Sequence, residues 1–239
     1  MKSIAKLKQI KGDASFRKFY RNKENKSILV LSKKEKLKNL LIYDAINKIL
    51  IKNKILAPNL YQENYKKNFI EIQDFGNETI FKIFNKKKNK FFYLKKVVKI
   101  LNKIQLIKNR TVKNFQKKNY LISDYKKKIL IKEANLFCDW YLKKKLSKND
   151  KNNFIKRFKK IIKSLFKNLK LKNNIFVHRD FHVSNLMLVK NKIGVLDSQD
   201  ALLGNRAYDL ASLIDDVRYK TSKSFKDKIY DLYIKNQKK

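Results

Sequence analysis

The sequence predicts an α+β protein of two lobes, a small β-rich N-terminal lobe over residues 1–76 and a larger, mostly helical C-terminal lobe over residues 77–239. Two changes of periodicity predict it. Short alternating segments run from Gly12 to about Phe75, and long amphipathic patterns with apolar residues at three- and four-residue spacing follow from Phe91. From Ile175 the chain returns to short apolar runs set around a polar loop.

Taken in order, "SFRKFYR" (Ser15 to Arg21) alternates large and charged residues, "RNKEN" supplies a polar turn, and "SILVL" (Ser27 to Leu31) is a buried-strand run. Together they predict a hairpin. Leu37, Leu40, Leu41, Ala45 and Ile49 recur at helical spacing, and Pro58 lies beyond the end of that helix. A strand pair is expected around Leu60 to Tyr61 and Phe69 to Ile72. "QDFGNET" (Gln73 to Thr79) carries an isolated Gly and reads as the interlobe linker. Beyond it, Phe91 to Ile107, Tyr120 to Leu146 and Asn153 to Leu171 read as long helices, with Lys-rich pieces such as "NKKKNK" (Asn85 to Lys90) as solvated loops. "IFVHRD" is a short strand entering a loop, "NLMLV" and "IGVLD" are two strands about the turn "KNK", and "AYDLASLIDDV" is a helix.

Composition narrows the class. A hydrophobic content of 43% supports a folded chain. The 61 basic against 20 acidic residues give a formal net charge of +41, which alone would suggest a nucleic-acid partner. Nearly all of that charge is Lys, spread along the chain with abundant Asn and Ile, the mark of a coding bias; a phosphate-binding face would cluster its charge and favour Arg. The surface should still take up polyanions in a salt-sensitive way. No run approaches the length of a membrane span, and the first ten residues lack a signal-peptide core. The single Cys138 excludes an internal disulfide and a Cys-based zinc site and reads as a small buried hydrophobe. The expectation is a cytoplasmic protein with no specific nucleic-acid partner, no membrane partner and no obligate protein partner.

The stretch "HRDFHVSNLMLVKNKIGVLDSQDA" from His178 to Ala201 packs His, Arg, Asp and Asn between apolar strands. Phosphoryl transfer needs a carboxylate to orient and deprotonate a hydroxyl, and oxygen ligands for magnesium ions that bridge phosphates. Asp180, Asn185 five residues on, and Asp197 at the end of the second strand offer that set. A loop over 178–185 that sets Asp180 at the hydroxyl can present Asn185 to a metal. The hairpin would then return the segment 193–200 so that Asp197 lies beside Asn185. The plainer reading, that these Asp residues are turn formers beside strands, does not account for three residue types at three offsets.

The segment resembles the catalytic core of the aminoglycoside phosphotransferase family, whose loop reads H-x-D-x-x-x-x-N followed by a strand and a metal-binding Asp. "HRDFHVSNLM", "IGVLDSQDA", "GDASFRKFY" (Gly12 to Tyr20) and "FIEIQDFGNET" are more narrowly similar to the bacterial kinases of N-acetylmuramate and N-acetylglucosamine. The likeness runs from about Gly12 to Asp216. It implies a protein-kinase-like bilobal fold, ATP and Mg2+ as cofactors, Asp180 as catalytic base, and Asn185 and Asp197 as metal ligands. It also implies that Asp209, which on its own reads as a helix cap, braces the catalytic loop with His178. His182, Gln199 and Asp200 are candidates to face the acceptor, with loop stabilisation as the alternative for His182.

The small lobe departs from the protein-kinase pattern. "GDASF" has one Gly, so backbone amides from Ala14 to Phe16 would cradle phosphate. No Lys stands in "SILVL", and Arg17, Lys18 or Arg21 could supply that charge, with Arg17 or Arg21 the favoured candidate. The nucleotide is thus expected against Ser15, Phe16, Arg17, Arg21 and Gln73. Only the short stretch from Ser198 to Tyr208 separates the metal-binding Asp from the next brace, and no peptide-docking segment is present, which favours a small acceptor. With so few acidic residues to line a cationic pocket, an amino sugar suits the chain better than an aminoglycoside or a choline-like cation. The resembled sugar kinases continue beyond the "YDLAS" helix, whereas this chain stops at Lys239, so the acceptor site is either pared down or truncated. An ATP-binding pseudokinase and a nucleic-acid-binding protein are the rival readings.

Overall fold

The computed structural model describes residues 7–10, 17–86, 89–142, 147–168 and 172–237. In the N-terminal lobe, strands β1 (Lys8–Ile10), β2 (Lys18–Asn22), β3 (Ser27–Leu31), β4 (Leu60–Asn64) and β5 (Phe69–Gln73) form an antiparallel sheet in the order β1-β2-β3-β5-β4. The period-2 pattern decides which face is buried. Ile28 and Val30 of β3 and Ile70 and Ile72 of β5 point to one side and close over Leu40 and Tyr43 of helix α1 (Lys38–Lys52).

Helix α1 does not belong to the small lobe alone. Its second half, with Ile46, Ile49 and Leu50, enters the larger core, and the chain after it follows, with Ile55 and Ala57 in the same cluster. The Val195 N–H bonds the Leu56 carbonyl at 2.8 Å, so the two lobes share backbone as well as side-chain contacts.

The C-terminal lobe begins with α2 (Ile80–Lys86) and α3 (Lys90–Gln105), which take Asn85, Lys86 and Lys90 of the expected Lys-rich loop into helix; residues 87–88 of it lie outside the described residues. The apolar stripe of α3 is fully buried, and α7 (Lys223–Gln237) packs along it. The Tyr233 hydroxyl donates to Gln105 Oε1 at 2.5 Å, and Gln105 Nε2 donates to the Arg206 carbonyl at 2.9 Å, which joins both helices to the start of α6 (Ala207–Ile214).

The helix expected over Tyr120 to Leu146 is corrected. A hairpin of β6 (Thr111–Lys113) and β7 (Asn119–Leu121) takes its first residues, and α4 (Lys127–Leu136) starts only after it. The cause is tertiary. Asn114 Oδ1 accepts from the Gln116 and Lys118 N–H groups to set the turn, and the backbone of Ser123 and Tyr125 bonds Leu203. After α4 a single π-helical turn (Phe137–Tyr141) with Cys138 buried in it precedes α5 (Lys148–Asn168). β8 (Ile175–Val177) pairs with β11 (Leu202–Gly204), and β9 (Leu186–Val189) pairs with β10 (Lys192–Val195). The β9–β10 turn puts Lys190 and Asn191 at positive φ, the backbone of a tight two-residue hairpin.

Candidate active site

The loop between β8 and β9 is held by its backbone. Asp209, fully buried in the first turn of α6, accepts from the N–H of His178 at 2.7 Å and of Arg179 at 2.9 Å. It is not the helix cap, since Arg206 stands at that position, so the bland sequence reading of Asp209 is corrected. Two donors explain why a carboxylate survives there; burial nonetheless dominates and pushes it up to about 7. The His178 ring is also buried, edge-on to Phe181, and its nitrogens find no well-aligned hydrogen-bond partner among the described residues. Burial pushes that imidazole down to about 4, against a weak pull from Asp197 and the Leu196 backbone.

Arg179 turns the loop at φ +75° and anchors it laterally. Its guanidinium ion-pairs with Glu133 of α4, lies 5.2 Å from the centre of the Tyr125 ring, and donates to the Asp200 carbonyl at 3.3 Å. The next residue is Asp180, whose carboxyl is pushed up to about 6 by partial burial first, then by the charges of Asp197 and Asp200. Asn185 Nδ2 donates to the Asp180 carbonyl at 3.1 Å and lies 3.2 Å from His182 Nε2. That orientation leaves Oδ1 as the amide atom available to a cation.

Asn185 and Asp197 come together through backbone. The Leu196 N–H donates to the Asn185 carbonyl at 2.9 Å, and Asn185, Leu196 and Asp197 all line one cavity of about 400 Å3. Asp197 sits at φ +60°, a conformation costing a non-Gly residue about 1–3 kcal/mol, which the surrounding contacts must outweigh. The cavity runs from these residues past Phe19, Ile28 and Ile72 to Phe75 at the linker. Asp180, His182, Gln199 and Asp200 stand outside its lining.

Of the residues expected at a nucleotide, Ser15 and Phe16 lie outside the described residues. Arg17, Arg21 and Gln73 line the cavity. Arg17 is 6% exposed, lies over the Phe19 and Tyr43 rings, donates to Gln199 Oε1 at 2.8 Å and ion-pairs with Asp197. The absent strand Lys thus has a cation in its neighbourhood. Arg21 is engaged at the linker, ion-paired with Asp74 at 2.5 Å and donating to the Gly76 carbonyl at 2.7 Å. Gln73 Oε1 accepts from Asn59 Nδ2 at 3.0 Å.

Gln199 is buried and bridges Arg17 to Asp200, to which its Nε2 donates at 2.8 Å. Beneath it, the Ser198 hydroxyl donates to Asn47 of α1 at 2.6 Å, and Asn47 donates to the Pro58 carbonyl. Asn47, Ser198 and Glu133 were not among the expected site residues. Only their partners mark them, and those are distant in sequence. Hard oxygen ligands at Asn185 and Asp197 fit Mg2+, and no cluster of three or more His, Cys, Asp or Glu suited to a metal occurs among the described residues. Two protein oxygens match an ion shared with phosphates better than a resident all-protein site.

A model of the phosphotransferase enzyme family matches residues 6–236. The chain belongs to that family. Among curated relatives of this phosphotransferase-family chain, the N-acetylmuramate/N-acetylglucosamine kinase of Neisseria meningitidis serogroup B is 24% identical over 225 residues, 93% of this chain and 64% of the relative. That of Pseudomonas aeruginosa is 26% identical over 215 residues, 89% of this chain and 60% of the relative. The chain therefore spans about three fifths of the length of these relatives. An aminoglycoside phosphotransferase solved with gentamicin superposes with a TM-score of 0.69 at 16% identity, covering 96% of this chain and 76% of that one. A choline/ethanolamine kinase family protein from Mesorhizobium loti gives 0.62 at 12% identity, covering 96% and 69%. The two-lobed protein-kinase-like fold is thereby shown.

Proposed function

We propose that this chain is an ATP-dependent phosphotransferase that moves the γ-phosphoryl group to a hydroxyl of a small molecule, with an amino sugar of the N-acetylmuramate/N-acetylglucosamine type as acceptor. The observation that carries the reading is the Leu196–Asn185 backbone bond, which joins the backbone at Asn185 and Asp197 on one cavity, while Asp209 holds the backbone of His178 and Arg179 just before Asp180. Mg2+ held by Asn185 and Asp197 would neutralise charge on the bridged phosphates. Arg17, beside Asp197, is the cation for the phosphates, and the apolar stretch from Ile28 to Phe75 takes the base. Asp180 orients the acceptor hydroxyl and removes its proton; its raised pKa keeps it a usable base near neutral pH. The curated relatives' names support the amino sugar.

The test is ATP turnover with a panel of amino sugars, aminoglycosides and choline. Asp180→Asn should lower the rate by about 100- to 10,000-fold while leaving ADP binding intact, and Asp197→Ala should weaken magnesium-dependent nucleotide binding as well. Turnover of aminoglycosides but not amino sugars would overturn the acceptor. Nucleotide binding with no product from any acceptor would overturn the enzyme reading in favour of an ATP-binding pseudokinase.

A further inference from the structure

Outside the site, the apolar surface of the molecule concentrates on one arm, formed by α4, the π-helical turn and α5. Among the described side chains, α4 and α5 bury none. α5 places Phe154, Ile155, Phe158, Ile161, Ile162, Leu165 and Phe166 on one stripe and surrounds it with eight basic residues against the single acidic Asp150. Its aromatic residues continue onto the turn: Phe137 stacks on Tyr141 at 5.1 Å and on Phe158 at 5.8 Å. Trp140 of the turn is 77% exposed, and farther along α5 Ile161 is 57% and Leu165 51% exposed. Exposed apolar side chains grouped on one arm in this way mark an interaction surface.

We infer that the α4–α5 arm is an interfacial anchor that lays its apolar ridge into the headgroup region of an anionic phospholipid surface. Charge complementarity selects this occupant. A helix with an apolar stripe, a Lys-rich border and exposed aromatic residues matches a bilayer whose headgroups are negative and whose boundary accepts hydrocarbon. A second copy of the chain would set eight basic residues of α5 against another eight, with one acid on each side to offset them. Single-stranded RNA would take the charge and stack on aromatic rings, but leaves Ile161 and Leu165 without a partner. Among the described residues no helix is long and apolar enough to cross a membrane, so the arm lies in the plane of the surface. The proposal departs from the expectation of no membrane partner, and it stands apart from the proposed kinase activity.

The chain carries its own probe, because Trp140 is its only tryptophan. With vesicles of phosphatidylcholine containing phosphatidylglycerol, at near-physiological salt, Trp140 emission should shift to the blue and be quenched by lipids brominated in the acyl chain. Binding should exceed that to pure phosphatidylcholine by about tenfold or more. The double variant Ile161→Ser, Leu165→Ser keeps every charge and should lose most vesicle binding and the quenching, with its far-ultraviolet circular dichroism unchanged. Asp180→Asn should bind vesicles like the parent protein. Binding without quenching, or binding unchanged in the double variant, overturns the proposal. RNA binding with no lipid quenching, or concentration-dependent dimerisation that buries Trp140, overturns it too and reassigns the face.

Discussion

Asp209 and His178 are two buried titratable groups on opposite sides of the same backbone turn, and their pH dependences oppose each other. His178 is held near 4, below its ordinary value of 6.5, so its contribution to stability is present above pH 6.5 and is lost as pH falls towards 4. Asp209 is held near 7, above its ordinary 3.8, so its contribution is full below 3.8 and is lost as pH rises through 7. Between these limits the slopes partly cancel. Asp209→Asn removes one of them. The variant should lose about 1–3 kcal/mol at pH 7, because Nδ2 would face a backbone N–H. Its deficit relative to the parent should then widen by a further 1–3 kcal/mol or so at pH 5. Thermal melts at the two pH values check this; a constant deficit would mean that Asp209 stays ionised throughout. The order Asp180, Asn185, Asp197 is legible in the sequence because a loop and a hairpin keep those positions close along the chain. Glu133, which pairs with Arg179, is not, since only the folded path of α4 brings it within reach.

At the scale of elements, the β2–β3 and β9–β10 hairpins and α1 follow from local pattern, because each is made by neighbours in sequence. The elements that escaped, β6 to β7 and β11, are three residues long; β6 and β7 pair with each other across a short turn, and β11 takes its hydrogen bonds from the distant β8. A three-residue strand carries too little alternation to be seen before its partner is known. Gly194 in β10 shows a related limit. Its sequence context is an ordinary strand, yet a Cβ there would meet the Phe75 ring at 2.7 Å. Phe75 lines the cavity, so the close approach of strand and linker shapes the site. Gly194→Ala should therefore destabilise the protein by about 1–3 kcal/mol and weaken ADP binding by displacing that ring. Calorimetry with ADP reads both, and unchanged affinity would show that Phe75 does not touch the nucleotide.

On the scale of the whole molecule, α1 feeds two cores, one under the small sheet and one in the large lobe. The lobes should therefore melt as a single cooperative unit, and magnesium with ADP at about 100 times its dissociation constant should raise stability by about 2.7 kcal/mol and move the whole transition. Two transitions, with only one shifted by nucleotide, would show independent lobes. The other long-range tie is the Arg179 guanidinium, which spans from the residue before Asp180 to Glu133 and Tyr125. α4 is otherwise weakly embedded, with no buried residue of its own. A force applied to that helix has a short, charged tether through which to reach the residue next to Asp180. The position of Asp180 is thus geared to the pose of a peripheral arm, and whatever that arm rests upon becomes part of the setting of the proposed base.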